Sequence, residues 1–141
     1  MLSSKAKYAV RALVFLARRR NREAWAPTGD IAMAETIPRK FLEAILVQLR
    51  DNDLVESRRG ARGGHRLARN PAAISLADVI RVIDGPLALT PCASVTDFHP
   101  CMDCADIATC HLRNVMRQAR DAVADVLENC FIAGLAADGQ T

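Results

Sequence analysis

Four of the five cysteines fall within "PCASVTDFHPCMDCADIATCH", residues 91–111, a polar stretch with few side chains able to pack. Eight residues separate Cys92 from Cys101, two separate Cys101 from Cys104, and five separate Cys104 from Cys110. Thiolates are soft ligands that suit zinc and iron-sulfur clusters, and a segment this long needs such a staple or must stay free. Structural zinc sites usually come as two ligand pairs. Here a single C-x-x-C has two lone partners, an irregular pattern that a cluster with several irons accepts more readily. Cys92, Cys101, Cys104 and Cys110 are therefore the candidate metal ligands, with an iron-sulfur cluster ahead of zinc. A reversible Cys101–Cys104 disulfide is the metal-free alternative. His99 and His111 flank the set and read as a polar loop residue and a helix-start residue. Cys130 lies apart on the stripe of the last helix, where a small buried hydrophobe is expected.

The compartment follows from what is missing. No apolar run approaches the ~18 residues needed to cross a bilayer. The opening "MLSSKAKYAV" lacks the order of basic, apolar and cleavage regions that marks a signal peptide. The expectation is a cytoplasmic protein with no membrane partner, in which thiols stay reduced. Its 141 residues suffice for one core. The net charge of +3 hides an asymmetry: residues 1–70 carry 15 Lys and Arg against 7 Asp and Glu, and residues 71–141 carry 4 against 9. A basic half is the electrostatic footprint of a protein that meets a polyanion.

The elements that would position these groups are mainly α. Ser4 can cap a first helix whose apolar face includes Tyr8, Leu13 and Leu16 before "RRRNRE" ends it. A brief second helix surrounds Ile31. In a third, Leu42, Ile45, Leu46 and Leu49 recur at i, i+3, i+4 and i+7 behind Pro38, a residue tolerated in a first turn. The arms Leu54-Val55 and Leu67-Ala68, separated by Gly60, Gly63 and Gly64, predict a β-hairpin closed by Asn70-Pro71. Ser75 with Asp78 forms a capping-box start for a helix bearing Leu76, Val79, Ile80 and Ile83, which stops at Gly85-Pro86. After the cysteine loop, "HLRNVMRQARDAVADVLENCFIAGLA" predicts a helix of about twenty residues, ~30 Å long. Its stripe of Leu112, Val115, Met116, Ala119, Val123, Val126 and Leu127 is heptad-like, the pattern of a dimerisation helix. "ADGQT" reads as a frayed tail.

Helix, turn, amphipathic helix and Arg-rich hairpin is the order of a winged helix-turn-helix, whose third helix enters the major groove while the hairpin follows the backbone. Arg58, Arg59, Arg62, Arg66 and Arg69, with His65, fall within twelve consecutive positions that hold no acid. Such crowding is relieved by an intervening anion. Gly63 and Gly64 would let the ribbon approach a sugar-phosphate chain. Pro38, Arg39 and Lys40 lie at the exposed first turn of the third helix. With only six aromatic residues there are few stacking platforms, so duplex DNA is favoured over single strands or RNA. An enzyme such as a thiol oxidoreductase is disfavoured, because no strand-helix alternation surrounds the C-x-x-C and no acid-base constellation converges.

The segments "KYAVRAL", "FLEAILVQLRDNDLVESRRGARGGHRLARNP" and "ISLADVIRVIDG", with a cysteine loop leading into "CHLRNVMRQARDAVADVLENC", resemble the bacterial iron-sulfur regulators, the IscR- and NsrR-like family. The resemblance covers nearly the whole chain. It implies a homodimeric winged-helix transcription factor, usually a repressor, whose cluster state alters operator binding. Two heads paired through the last helix would meet a pseudo-palindromic operator, and an all-thiolate set could hold either a 2Fe-2S or a 4Fe-4S cluster. The resemblance also implies three loop ligands that correspond to Cys92, Cys104 and Cys110. The family's histidine three residues past the last cysteine is Arg113 here, and the acid that some members recruit from the partner's first helix is replaced by Lys7 and Tyr8. The fourth ligand then falls to Cys101 first and His111 second. The organisation expected is a DNA-binding head over 1–86, a cluster loop over 87–110, and a dimerisation helix and tail over 111–141.

Overall fold

The computed structural model describes residues 2–138, so the last three residues of the expected tail lie outside the described residues. Six helices and one small sheet follow in the order α1 (Ser4–Arg18), α2 (Thr28–Glu35), α3 (Arg39–Asp51), β1 (Val55–Arg58), β2 (Gly64–Leu67), α4 (Leu76–Ile83), α5 (His111–Glu128) and α6 (Ile132–Asp138). This is the mainly helical winged helix-turn-helix that the periodicities predict.

The α3 stripe behaves as its spacing requires: Leu42, Ile45, Leu46 and Leu49 are all buried. They pack with Leu13, Leu16, Ile31, Leu54 and Val55 in one core. Fully burying an aliphatic side chain of this size contributes about 1.5–3 kcal/mol, so four on one helix fix its rotation about its axis. The opposite stripe, Lys40, Glu43, Ala44 and Val47, is left in solvent. Between α2 and α3, Thr36 adopts φ +53 and its N–H bonds to the Ala32 carbonyl, which turns the chain sharply. The Ser75/Asp78 capping box forms in both directions, Asp78 N–H to Ser75 Oγ at 3.1 Å and Ser75 N–H to Asp78 Oδ2 at 3.0 Å.

Two boundaries differ from expectation. Ser3, not Ser4, caps α1, accepting from the Ala6 N–H at 3.0 Å. The reason is tertiary: Ser3 N–H also donates to Asp84 Oδ2 at 3.0 Å, which ties the start of α1 to the end of α4. The last helix is also not continuous. Asn129 donates its side-chain amide to the Asp125 carbonyl at 2.7 Å and ends α5. The chain then pairs with the strand-like entry to α4, Leu76 N–H to the Cys130 carbonyl at 2.8 Å and Ile132 N–H to the Ile74 carbonyl at 2.9 Å. Ile132 becomes fully buried and α6 lies against α1, where Arg18 donates to the carbonyls of Ala136 at 3.0 Å and Leu135 at 3.3 Å. Residues 131–138 therefore complete the head instead of extending the helix. Cys130 sits half-exposed in the connecting turn, not on a buried stripe.

Candidate functional site

In the wing, β1 and β2 pair antiparallel with Val55 opposite Leu67 and Arg58 opposite Gly64. A third backbone segment joins from the α1–α2 connection, where Ala26 and His65 exchange two backbone hydrogen bonds of 2.8 Å. That pairing explains Gly64, and the hairpin's own turn explains Gly63. Gly64 has φ +147, and a Cβ there would lie 2.3 Å from the Ala26 carbonyl oxygen; at Gly63 it would lie 2.0 Å from that of Arg58. Close approach inside the protein thus requires both residues, independently of any ligand.

The basic residues divide into two groups. Arg66, with 29% of its side chain exposed, pairs with Glu56 at 2.8 Å and Glu23 at 3.6 Å. Its guanidinium lies 4.3 Å from the centroid of the Trp25 ring and donates to the Glu23 carbonyl at 3.0 Å. Arg69 caps the end of α3 by donating to the carbonyls of Asp53 at 3.1 Å and Asn52 at 3.3 Å. His65 sits between two hydroxyls, Thr28 Oγ1 and Ser57 Oγ, each at 2.8 Å from a ring nitrogen. Burial first, and the positive charge of Arg50 second, hold its pKa below the usual histidine value. These three are fasteners that hold the wing to the head. Arg58, Arg59 and Arg62 are exposed at the tip and make no ion pair among the described residues.

At the start of α3, Pro38 is the capping residue, Lys40 is exposed, and Arg39 reaches Glu43 one turn on at 3.3 Å, both in solvent. Ala44 and Val47 also face outward, as the vacancies in the buried stripe already mark them. Sequence reasoning left Arg20 and Arg22 unassigned. With Arg69 they line a cleft of about 560 Å³ beside the base of the wing.

The cysteine loop is held by short local turns. Cys92 is buried in a 3-10 turn, Pro91–Ala93, that packs on α5, while Cys101, Cys104 and Cys110 are half-exposed. The thiols of Cys92 and Cys101 lie 3.7 Å apart. The C-x-x-C forms a turn, with Cys104 N–H donating to the Cys101 carbonyl at 3.1 Å, and Cys101 turns its sulfur to Cys92. The Cys92 thiol is shifted down chiefly by the Thr90 hydroxyl at 3.5 Å, with smaller help from Cys101 and from the Arg113 guanidinium, against an opposing effect of burial. Cys101 is shifted up, first by its bond to Cys92. From the first turn of α5, Arg113 donates to the Cys92 carbonyl at 3.4 Å and lies 5.7 Å from the centroid of the Phe98 ring. Thr90 was not legible as part of this site, and Arg113 stood out only as the residue at the position of the family's histidine, with no sign that it would reach the Cys92 carbonyl. His99 pairs with Asp97 at 2.9 Å and His111 opens α5.

Four free thiols supply the donor chemistry that an iron-sulfur cluster needs. Two sulfurs on one tetrahedral metal with bonds of ~2.3 Å stand ~3.8 Å apart, the spacing Cys92 and Cys101 already have. Among the described residues no three His, Cys, Asp or Glu side chains converge on one point, so Cys104 and Cys110 stand outside that pair.

A two-helix unit with an outward α3 face and a wing tipped by three free arginines defines a winged helix-turn-helix DNA-binding regulator of transcription. More narrowly, the chain belongs to the Rrf2 family, described as iron-dependent transcriptional regulators, which matches residues 2–138. A Rhodobacter capsulatus protein named as an rrf2-like HTH-type transcriptional regulator is 40% identical over 84% of this chain and 80% of its own. The HTH-type transcriptional regulator CymR of Bacillus subtilis is 32% identical over 99% and 93%. The solved structure of CymR, described as the global cysteine regulator of that organism, covers 99% of this chain and 98% of its own with a TM-score of 0.78. The regulator IscR of Vibrio vulnificus is 30% identical over 99% and 79%. The family and these relatives are all described as regulators of transcription. Among the described residues no helix is long and apolar enough to cross a membrane.

Proposed function

We propose that the protein is a homodimeric regulator, in the sense of a repressor, whose grip on a pseudo-palindromic operator is controlled by an iron-sulfur cluster in the cysteine loop. The observation that supports this reading is the position of the loop at the start of α5, the helix that would join the head to a second copy. The C-terminal end of α5 is fastened to the head by the Ser75–Phe131 bridge and by the Arg81–Glu128 ion pair at 2.6 Å. Its N-terminal end rests on the turn containing Cys92 through Arg113. Chemistry at Cys92 therefore acts on one end of a rod whose other end moves with the head.

Dimerisation is supported by the outward side of α5. Leu112, Val115, Val123 and Val126 are 44–67% exposed, while Met116, Ala119 and Leu127 are half-buried towards their own chain and Ala124 is buried. An apolar groove of about 550 Å³ between α1, α4 and α6 continues from Leu127 past Tyr8, Leu76 and Ile80. A second copy would bury this surface and hold two α3 helices about one DNA turn, ~34 Å, apart. Lys40 and the outward α3 face would meet base edges, and Arg58, Arg59 and Arg62 the phosphates.

Cys92, Cys101, Cys104 and Cys110 would hold the cluster, and its sensitivity to oxidant, iron supply or nitric oxide would supply the signal. A second reading, a metal-free thiol regulator, is favoured by the Cys92–Cys101 contact and by the likeness to CymR. Anaerobic purification with visible absorption and analysis of iron and acid-labile sulfide separates the two. Colour with iron and sulfide in similar amounts supports the cluster; colourless, iron-free protein overturns it.

A further inference from the structure

The spacing of Cys92 and Cys101 has a use that requires no metal. Two sulfurs 3.7 Å apart with free thiols need to close to ~2.05 Å to form a disulfide, a movement within reach of side-chain rotation and small loop adjustment. The two cysteines differ in access: Cys101 is half-exposed, and Cys92 is buried in a turn seated on α5. The intervening segment can follow, because Val95 and Phe98 are exposed and its fixed points are local bonds such as Asp97 N–H to Ser94 Oγ at 2.9 Å.

We propose that Cys92 and Cys101 form a peroxide-driven disulfide switch in the metal-free protein. Hydrogen peroxide oxidises the accessible Cys101 thiol to a sulfenic acid, with one oxygen transferred to sulfur and one water released. The Cys92 thiol attacks that sulfur, the S–O bond breaks, and a second water leaves as the S–S bond forms. Two thiols lose two electrons and one peroxide gains them. The bond ties Cys101 to the buried turn against α5 and removes two of the four thiols from metal binding, so oxidised protein refuses a four-thiolate site. The inference rests on the second, metal-free reading and stands apart from the cluster, since it concerns the chain without iron.

The test uses full-length protein freed of metal with a chelator, reduced, and treated with hydrogen peroxide. Asp97, Asp103 and Asp106 separate the four loop cysteines, so cleavage on the N-terminal side of aspartate puts each in its own peptide for mass analysis under non-reducing conditions. A dominant link between the peptides of Cys92 and Cys101 is expected, retained in Cys104→Ser and lost in Cys101→Ser. A dominant Cys101–Cys104 link, equal loss in both variants, or sulfinic acid without any link overturns the proposal. A protein that takes up no iron can still pass this test, and one that binds a cluster can still fail it.

Discussion

The wing and the cysteine loop are both irregular, polar excursions, and they are built in opposite ways. The wing is over-determined. Four paired positions between the strands, the Ala26–His65 pairing beside them, two obligatory glycines, a histidine between two hydroxyls and an arginine clamped by two carboxylates and a tryptophan hold thirteen residues in one shape. The loop over 87–110 has short 3-10 turns and side-chain caps, such as Asp106 Oδ1 accepting from the Ala108 N–H at 3.0 Å, and leaves Leu89, Val95, Phe98 and Met102 exposed. A surface that must match a duplex benefits from being fixed before it arrives, because ordering it on binding would cost affinity. A segment that must report chemistry benefits from few competing contacts, so that one new bond or its loss can change its arrangement.

The contrast is broken most severely at Gly64. Gly64→Ala should destabilise the protein by about 3 kcal/mol, because the methyl collides with the Ala26 carbonyl and φ is positive. Denaturant unfolding checks this, and an unchanged midpoint would show that the Ala26–His65 pairing does not require glycine. An alanine for a loop residue such as Val95, exposed and unpacked, should stay within about 0.5 kcal/mol of the parent in the same measurement.

Within the wing, the division of the arginines makes a sharper test. Arg66→Ala should cost about 1–2 kcal/mol of stability through the lost clamp on Glu23, Glu56 and Trp25. Arg59→Ala should leave stability within about 0.5 kcal/mol, weaken binding to every DNA sequence, and lower the slope of log affinity against log salt by about 1. Salt titrations of the two variants check the difference. Equal slopes in Arg59→Ala and the parent would take that residue off the phosphate contacts.

The smallest effect is the pH dependence of His65. Its folded pKa lies below the unfolded value of about 6.5, so between the two the unfolded chain binds more protons and stability rises with pH. The contribution is complete above about pH 6.5 and is lost as pH falls through the lowered folded value. Unfolding midpoints measured from pH 8 down to pH 5 should decline, and His65→Gln should flatten that part of the curve. A parallel decline in the variant would assign it to other groups.

What was legible in the sequence was local. The α3 stripe, the Ser75/Asp78 capping box and the two arms of the hairpin depend on partners a few residues away, so spacing alone reveals them. The cap of α1 was misread by one residue because Asp84, far along the chain, decides it. The same holds for the site. Arg58, Arg59 and Arg62 look no different in sequence from Arg66 and Arg69, whose partners Glu23, Trp25 and Asp53 are brought up by the fold. The C-x-x-C motif drew attention to Cys101 and Cys104, whereas the fold turns the Cys101 sulfur to Cys92 across the loop. The return of α6 to α1 rests on Ile132 finding the core, a long-range gain that the heptad pattern does not encode.

The central claim is that the sulfur chemistry of one loop governs how the head holds DNA. The direct measurement compares operator affinity, under strictly anaerobic conditions and at fixed salt, for the natural chain and for a variant with Cys92, Cys101, Cys104 and Cys110 all changed to serine. Iron is expected in the first and none in the second, with affinities that differ by at least about fivefold. Equal affinities in two folded, dimeric proteins would contradict it.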